Sequence, residues 1–341
     1  MAEKNGTLLT TIDGLSPAAI SRLADLWITT GEELVSAARQ PRGTGDLAVF
    51  LGLSEAEVEQ LAETAAAALP GSFSFAPDEL PELGLGGMDD RRAEAEEVDP
   101  GPLSFDPPPA SVNLIAEMPG VKYQGGRGTC VSFTVTALRE YWLHKLGLPA
   151  DDLSEQHLYW NCKQHDGWAG GGTWIHIAMQ RLMADGICRE VTWPYSGLVD
   201  PANEGHNPAP AGAGDDAAQY KILNFAEIGA NQIATMRSWL AEGHPIAFTA
   251  MIYDYWQTNP LWTTGDIRLI LPGDASLGGH AMLMVGYEDD ESVPGGGYFL
   301  VRNSWGEQFA SGGIQPPGYL RMPYAFAEAS VYAAYAMKLS E

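Results

Sequence analysis

The sequence predicts an α+β protein led by a small all-α module. Three observations lead there: capped, apolar-periodic segments within residues 7–69, a loss of periodicity from Pro70 to about Pro109, and then helices followed by strand-like runs as far as Glu341. The chain divides accordingly into a helical module (1–69), an acidic Pro/Gly-rich linker (70–109) and a larger domain (110–341). With 341 residues and 45% hydrophobic composition there is enough apolar side chain for a buried core. No repeat of fixed period is visible.

The module shows three helix starts: Ser16-Pro17, Thr30 with Glu33, and Ser54 with Glu57. The last two have the spacing of a capping box, and a proline suits a first helical position because its missing N–H would be unpaired there anyway. Ile20, Leu23, Leu26 and Trp27, then Leu34, Val35 and Ala38, then Val58, Leu61 and Ala65 recur at helical spacing. The run TIDGLSPAAISRL followed by TTGEELV resembles a helix-hairpin-helix repeat, with Gly14 in the hairpin. Such repeats often bind DNA, but Asp13, Asp25, Glu32 and Glu33 are acidic where a phosphate contact needs amides and basic neighbours. Docking of a protein partner or plain packing remains.

Charge narrows the partners further. Lys and Arg number 19 against 44 Asp and Glu, a formal charge of −25, so neither nucleic acid nor an acidic membrane surface is an expected partner. No window approaches eighteen uninterrupted apolar residues, and the first residues lack the basic-then-apolar order of a secretory signal. Three cysteines, Cys130, Cys162 and Cys188, are too few for a disulfide framework. A cytoplasmic location is expected.

The chemistry concentrates in the larger domain. In Gln124-Gly-Gly-Arg-Gly-Thr-Cys130-Val-Ser-Phe133 a glycine-rich turn leads into an apolar-periodic helix, placing Cys130 at its N-terminus. Helix amides and the positive end of the dipole favour a thiolate there, so the thiol pKa is expected well below its free value of about 8.5. Downstream, Gly278-Gly279-His280 opens an apolar strand. A second strand-like run, Tyr298 to Arg302, is followed by Asn303-Ser304-Trp305-Gly306. A thiol, an imidazole, a group that fixes the imidazole tautomer and an oxyanion donor together make up a nucleophilic acyl-transfer site.

These blocks, in this order, resemble the papain family of cysteine peptidases across roughly residues 110–340. The resemblance implies Cys130 as nucleophile, His280 as base, Asn303 as the group orienting it and Gln124 as oxyanion donor beside the Cys130 N–H, with Trp305 shielding the His280–Asn303 hydrogen bond. Leu153-Ser-Glu-Gln156 resembles the helix start that follows the catalytic helix. Gly170-Gly171-Gly172 resembles the substrate-binding glycines, although three glycines also suit an ordinary loop. The implied fold has two lobes, one helical with Cys130 and one an antiparallel β-barrel-like lobe with His280 and Asn303. Ala281, the run Pro245 to Ala250 and the loop after Gly172 would wall the main specificity pocket, favouring a hydrophobic substrate residue.

Two departures matter. Arg127 stands where many secreted members carry a cysteine bridged to one near Cys162, so that disulfide cannot form, and Val131 replaces an aromatic residue. Among the other histidines, His144, His157 and His176 fall on expected helices and His165, His206 and His244 in loops or turns. Cys162 and His165 have no second ligand pair, so neither metal nor other cofactor is expected. The layout of module and linker also resembles the pro-region of papain-like enzymes. On that reading the acidic stretch 76–100 either occupies the cleft or tethers the module near it. The expected activity is hydrolysis of a peptide or protein substrate through a Cys130 acyl-enzyme. Acyl transfer or peptide ligation at the same site and a non-catalytic peptide-binding scaffold are the alternatives.

Overall fold

The computed structural model describes residues 3–76, 83–88, 107–149, 152–198, 208–230 and 232–338. His206 and most of the acidic stretch 76–100 lie outside the described residues.

In the module the expected caps form. Ser16 accepts from the Ala19 N–H at the start of α1 (Pro17–Ala24), and full capping boxes open α2 (Gly31–Arg39) and α4 (Glu55–Ala68). Each cap stabilises its helix by about 1 kcal/mol by pairing amides that the first turn leaves open. Between them lies α3 (Gly43–Leu51), which no side chain caps and which the sequence did not announce. Its first residue presses on the preceding helix, where a Cβ on Gly43 would come within 1.9 Å of the Ala37 carbonyl oxygen. Upstream of Gly14 the described residues contain only a 3-10 turn, Leu9–Thr11, so the first helix of a helix-hairpin-helix repeat is reduced to three residues.

The module is seated on the larger domain. Leu34, Val35, Leu47 and Val58 form its core, and Leu271 of the larger domain joins them. Leu269 donates its N–H to the Leu26 carbonyl at 3.0 Å. Trp27 turns out of the module with φ +57°, a conformation that costs a bulky residue roughly 1–3 kcal/mol. Its ring, 1% exposed, stacks on Tyr298 at 6.1 Å, with the Lys4 ammonium 3.9 Å and the Arg321 guanidinium 5.3 Å from its centroid. Burial of this large amphipathic ring between cations offsets the backbone strain.

The larger domain has the expected two lobes. The helical one contains α5 (Cys130–Lys145), α6 (Glu155–His165) and α7 (Ile175–Ala184). His165, expected in a loop, is the last residue of α6, because Ser154 starts that helix and nothing in the apolar spacing stops it sooner. The other lobe is an antiparallel sheet of β1 (Ser111–Asn113), β2 (Asn224–Ile228), β3 (Ile246–Tyr253), β4 (Ser276–Asp289), β5 (Gly297–Arg302), β6 (Tyr319–Pro323) and β7 (Val331–Lys338). Its order is β2-β7-β3-β4-β5-β6, with β1 added to β4. Short helices α8 (Ala213–Ala217), α9 (Ile233–Ala241), α10 (Asn259–Thr264) and α11 (Tyr324–Ser330) complete it.

β4 joins the lobes. Alternate residues of a strand face opposite sides. Ala281, Leu283 and Val285 enter the core made with α5, while Met282 and Met284 enter the core within the β lobe. His280 shares the face of Met282, at the mouth of the strand and opposite Ala250. Asn303 follows directly on β5, which pairs with β4. The N-terminus of α5 meets this mouth, and the cleft lies between them.

Candidate active site

Cys130 opens α5, and no side chain caps that helix start. The sulfur accepts from the Ala281 N–H at 3.4 Å and also faces the N–H groups of Gly86, Val131 and Cys130. Across the cleft, His280 Nε2 lies 2.8 Å from Asn303 Oδ1. That oxygen also accepts from the Ser304 N–H at 2.8 Å, which fixes the amide's orientation. An acceptor at Nε2 requires the proton there, so Nδ1 is the bare, basic nitrogen. It has no hydrogen-bond partner among the described residues.

Trp305 stacks on the imidazole at 4.8 Å and 26°, with Trp262 behind it and Phe309 edge-on. This apolar plate covers the imidazole that bonds Asn303. Trp262 and Phe309 were not singled out in the sequence, since a core aromatic carries no motif. Gln124 is buried. Its Oε1 accepts from the Ser304 hydroxyl, which turns Nε2 toward the oxyanion position. Gln124, Cys130, His280 and Asn303 are therefore brought together, from chain positions up to 179 residues apart. Cys162 and Cys188 are buried and unbridged.

Arg127 holds the turn before the nucleophile. It donates to Gln156 Oε1 and to the Ser196 carbonyl, both at 2.8 Å, and lies over the rings of Tyr159 and Tyr195. Hydrogen bonds and ring contacts thus tie this turn to α6.

The linker enters this site. Gly84–Met88 runs through the cleft, hydrogen-bonded through its own backbone, with the Leu85 side chain packed against the β-lobe core. Gln124 Nε2 donates to the Gly84 carbonyl at 2.5 Å and to the Arg127 carbonyl at 2.9 Å, so both of its protons are taken and one of them by the linker. Thr173 N–H donates to Gly86 O at 2.9 Å and Met88 N–H to Thr173 O at 3.1 Å, which makes Gly87 and Thr173 a parallel bridge. On the other wall Gly87 donates to Gly279 O at 3.0 Å and accepts from Tyr332 OH at 2.9 Å. Of the expected substrate glycines, Gly172 touches this strand closely and Thr173 makes the hydrogen bonds. Ala281 lines the cleft beside Gly87, while no described contact brings Gly170 or Gly171 to the strand.

Only glycine fits at three linker positions. A Cβ on Gly84 would lie 2.0 Å from Arg127 O, on Gly86 2.2 Å from Gly128 O and on Gly87 2.5 Å from Thr249 Cγ2. The sulfur meets the Gly86 N–H, and the carbonyl on Gln124 Nε2 belongs to Gly84, two residues earlier.

This cover changes the electrostatics. Burial pushes the Cys130 thiol up to about 11, only partly opposed by the surrounding N–H groups, and pushes the His280 imidazole down to about 4. The expectation of a lowered thiol pKa is thus reversed in this state. A helix N-terminus stabilises a thiolate, but exclusion of water from both partners costs more, and the pair is held as neutral thiol and neutral imidazole. Among the described residues no group of three or more His, Cys, Asp or Glu could hold a metal ion.

A thiol at a helix start, an Asn-held imidazole at a strand mouth and a buried side-chain amide beside them, set between a helical and an antiparallel β lobe, form the arrangement of the papain-like fold. The family model described as papain family cysteine protease matches residues 108–333, and the chain belongs to that family. It is 31% identical to cathepsin L of Sarcophaga peregrina over 206 residues, covering 60% of this chain and 55% of that one. It is 28% identical to cathepsin B-like CP3 of Giardia intestinalis, covering 58% and 63%. The chain spans about half to two thirds of the length of the curated relatives it matches. The fold is shared with xylellain, a cysteine protease from Xylella fastidiosa (TM-score 0.61, 24% identity, 78% of this chain and 99% of that one). It is also shared with digestive procathepsin L 3 of Tenebrio molitor (TM-score 0.56, 19% identity, 94% and 98%).

Proposed function

We propose that this chain is an endopeptidase acting through a Cys130 acyl-enzyme and that its own linker holds it inactive. Once the cleft is open, His280 Nδ1 takes the thiol proton and the sulfur attacks the substrate carbonyl. The carbonyl oxygen becomes an oxyanion facing Gln124 Nε2. The C–N bond then breaks as the imidazolium gives its proton to the leaving amine, and His280 next removes a proton from water to release the acid and the free thiol. Asn303 keeps the tautomer throughout.

The observation that supports the inhibitory part is the Gly84 carbonyl on Gln124 Nε2, the donor that a substrate oxyanion would need. The test compares peptide hydrolysis by the full chain, by Gly86→Val and by Gly86→Val/Cys130→Ala. Valine cannot occupy position 86 without displacing backbone, so the single variant should gain activity and the double variant should have none. Equal activity of the full chain and Gly86→Val would remove the inhibitory role. Activity surviving in the double variant would remove Cys130 as nucleophile. Amide product formed with added amine would point to acyl transfer.

A further inference from the structure

Lys163 lies in the last turn of α6, outside the groups that touch the reacting atoms. Its side chain is 1% exposed and pairs with Asp166, itself fully covered, at 2.9 Å. The ammonium also donates to the carbonyls of Trp168 at 2.7 Å, Gly170 at 2.9 Å and Gly172 at 3.2 Å. Three N–H donors therefore face four oxygens, all within the ten-residue stretch that ends the helix and forms one wall of the cleft. Asp166 reinforces the loop from below by accepting the Trp168 N–H at 2.9 Å.

The direction of one peptide plane makes this consequential. In a trans peptide the carbonyl and the following N–H point opposite ways. With the Gly172 oxygen drawn toward Lys163, the Thr173 N–H is turned away from it and into the cleft, where it donates to the Gly86 carbonyl. An ion pair this deeply buried is costly unless its hydrogen bonds are complete, and here they are.

We propose that Lys163 is a positioning residue for the peptide-binding wall: its ammonium clamps Asp166–Gly172 so that the Thr173 N–H is aimed at an extended chain. This rests on the peptidase reading only for its effect on turnover. A ligand strand bonded there loses its anchor when the clamp is removed, whereas the Cys130–His280 pair, on α5 and β4, does not.

The test has two arms, both in the full chain. In the first, hydrogen exchange is followed at the Thr173 and Met88 amides in the unaltered protein, in Lys163→Met and in Lys163→Arg. Methionine keeps the apolar stem without the donors, and both amides should exchange about ten-fold faster while the α5 amides hold their protection. Arginine, which keeps the charge but not its compact geometry, should fall between. Unchanged exchange at Thr173, or equal loss of protection throughout the domain, overturns the proposal. In the second arm, with Gly86→Val opening the cleft, Lys163→Met should raise KM for an extended peptide about ten-fold with kcat little altered. A fall in kcat with KM unchanged overturns it. If Gly86→Val turns over no peptide at all, the peptidase or cover reading fails while the exchange arm still decides the role of Lys163. Should Lys163→Met not fold, Lys163→Arg carries the same comparison with a smaller shift.

Discussion

The module and the linker strand both rest on the catalytic domain, but they grip it in opposite ways. The module uses side chains: Trp27 against Tyr298 between two cations, and leucines exchanged across the boundary. The strand Gly84–Met88 packs the Leu85 side chain, but it hydrogen-bonds through its backbone and fits only because Gly84, Gly86 and Gly87 have no side chain. A side-chain grip is spread over many atoms and resists any one small change. A backbone grip in a narrow cleft is indifferent to most chemistry yet fails on a single added carbon. On the proposed reading the module is the lasting part of the fold and the strand the part to be dislodged.

The largest effect expected from this contrast is on activity. Substituting Gly84 or Gly86 by valine should raise peptide hydrolysis by about 100-fold, the ratio given by about 2.7 kcal/mol of lost closure. Gly71→Val, in the same linker but with open space around its Cβ, should change nothing. Equal effects at positions 71 and 86 would break the comparison.

A second effect is on stability. Trp27→Ala should lower unfolding free energy by about 3–5 kcal/mol in thermal or denaturant melting, with no activation below the transition. A chain begun at Ser104 would lose the whole module and leave Tyr298 and Leu271 uncovered, so its behaviour would mix inhibition with folding. A Trp27→Ala protein as stable as the parent would show that the module is merely tethered.

The pH dependence is smaller and has two sides. The closed state raises the Cys130 pKa from 9.0 to about 11, so this contribution to closure is fully present below 9 and is lost as pH rises toward 11. The closed state lowers the His280 pKa from 6.5 to about 4, so its contribution is present above 6.5 and is lost as pH falls toward 4. Closure should be tightest between about pH 6.5 and 9 and weaken on either side, which exchange at the Met88 amide would report. The smallest effect is that of Tyr332→Phe. It removes one hydrogen bond to Gly87, about 1 kcal/mol, and should raise activity about five-fold.

Much of the candidate site was legible in the sequence because each member carries a local signature. Cys130 has its glycine turn and helix, His280 its strand mouth, and Asn303 and Trp305 a four-residue block. The three capped helix starts were legible for the same reason. The parts that escaped depend on where distant segments meet. Tyr332 reaches Gly87 across 245 residues, and no spacing rule connects them. Lys163 reads as an ordinary surface cation at a helix end until the loop folds over it. Gly84, Gly86 and Gly87 read as linker glycines because the reason for each is a carbonyl of another segment. The sign of the Cys130 pKa shift was misread on the same ground, since the helix start is local and the water-excluding cover is not.

The most direct test is the rate at which iodoacetamide alkylates each cysteine at pH 7 in the full chain and in Gly86→Val, resolved by peptide mass mapping. Cys162 and Cys188 serve as buried internal references. Cys130 should be slow in the full chain and about 100-fold faster in the variant, with the other two slow in both. Equal Cys130 rates in the two proteins, or Cys162 reacting as readily as Cys130, would contradict this.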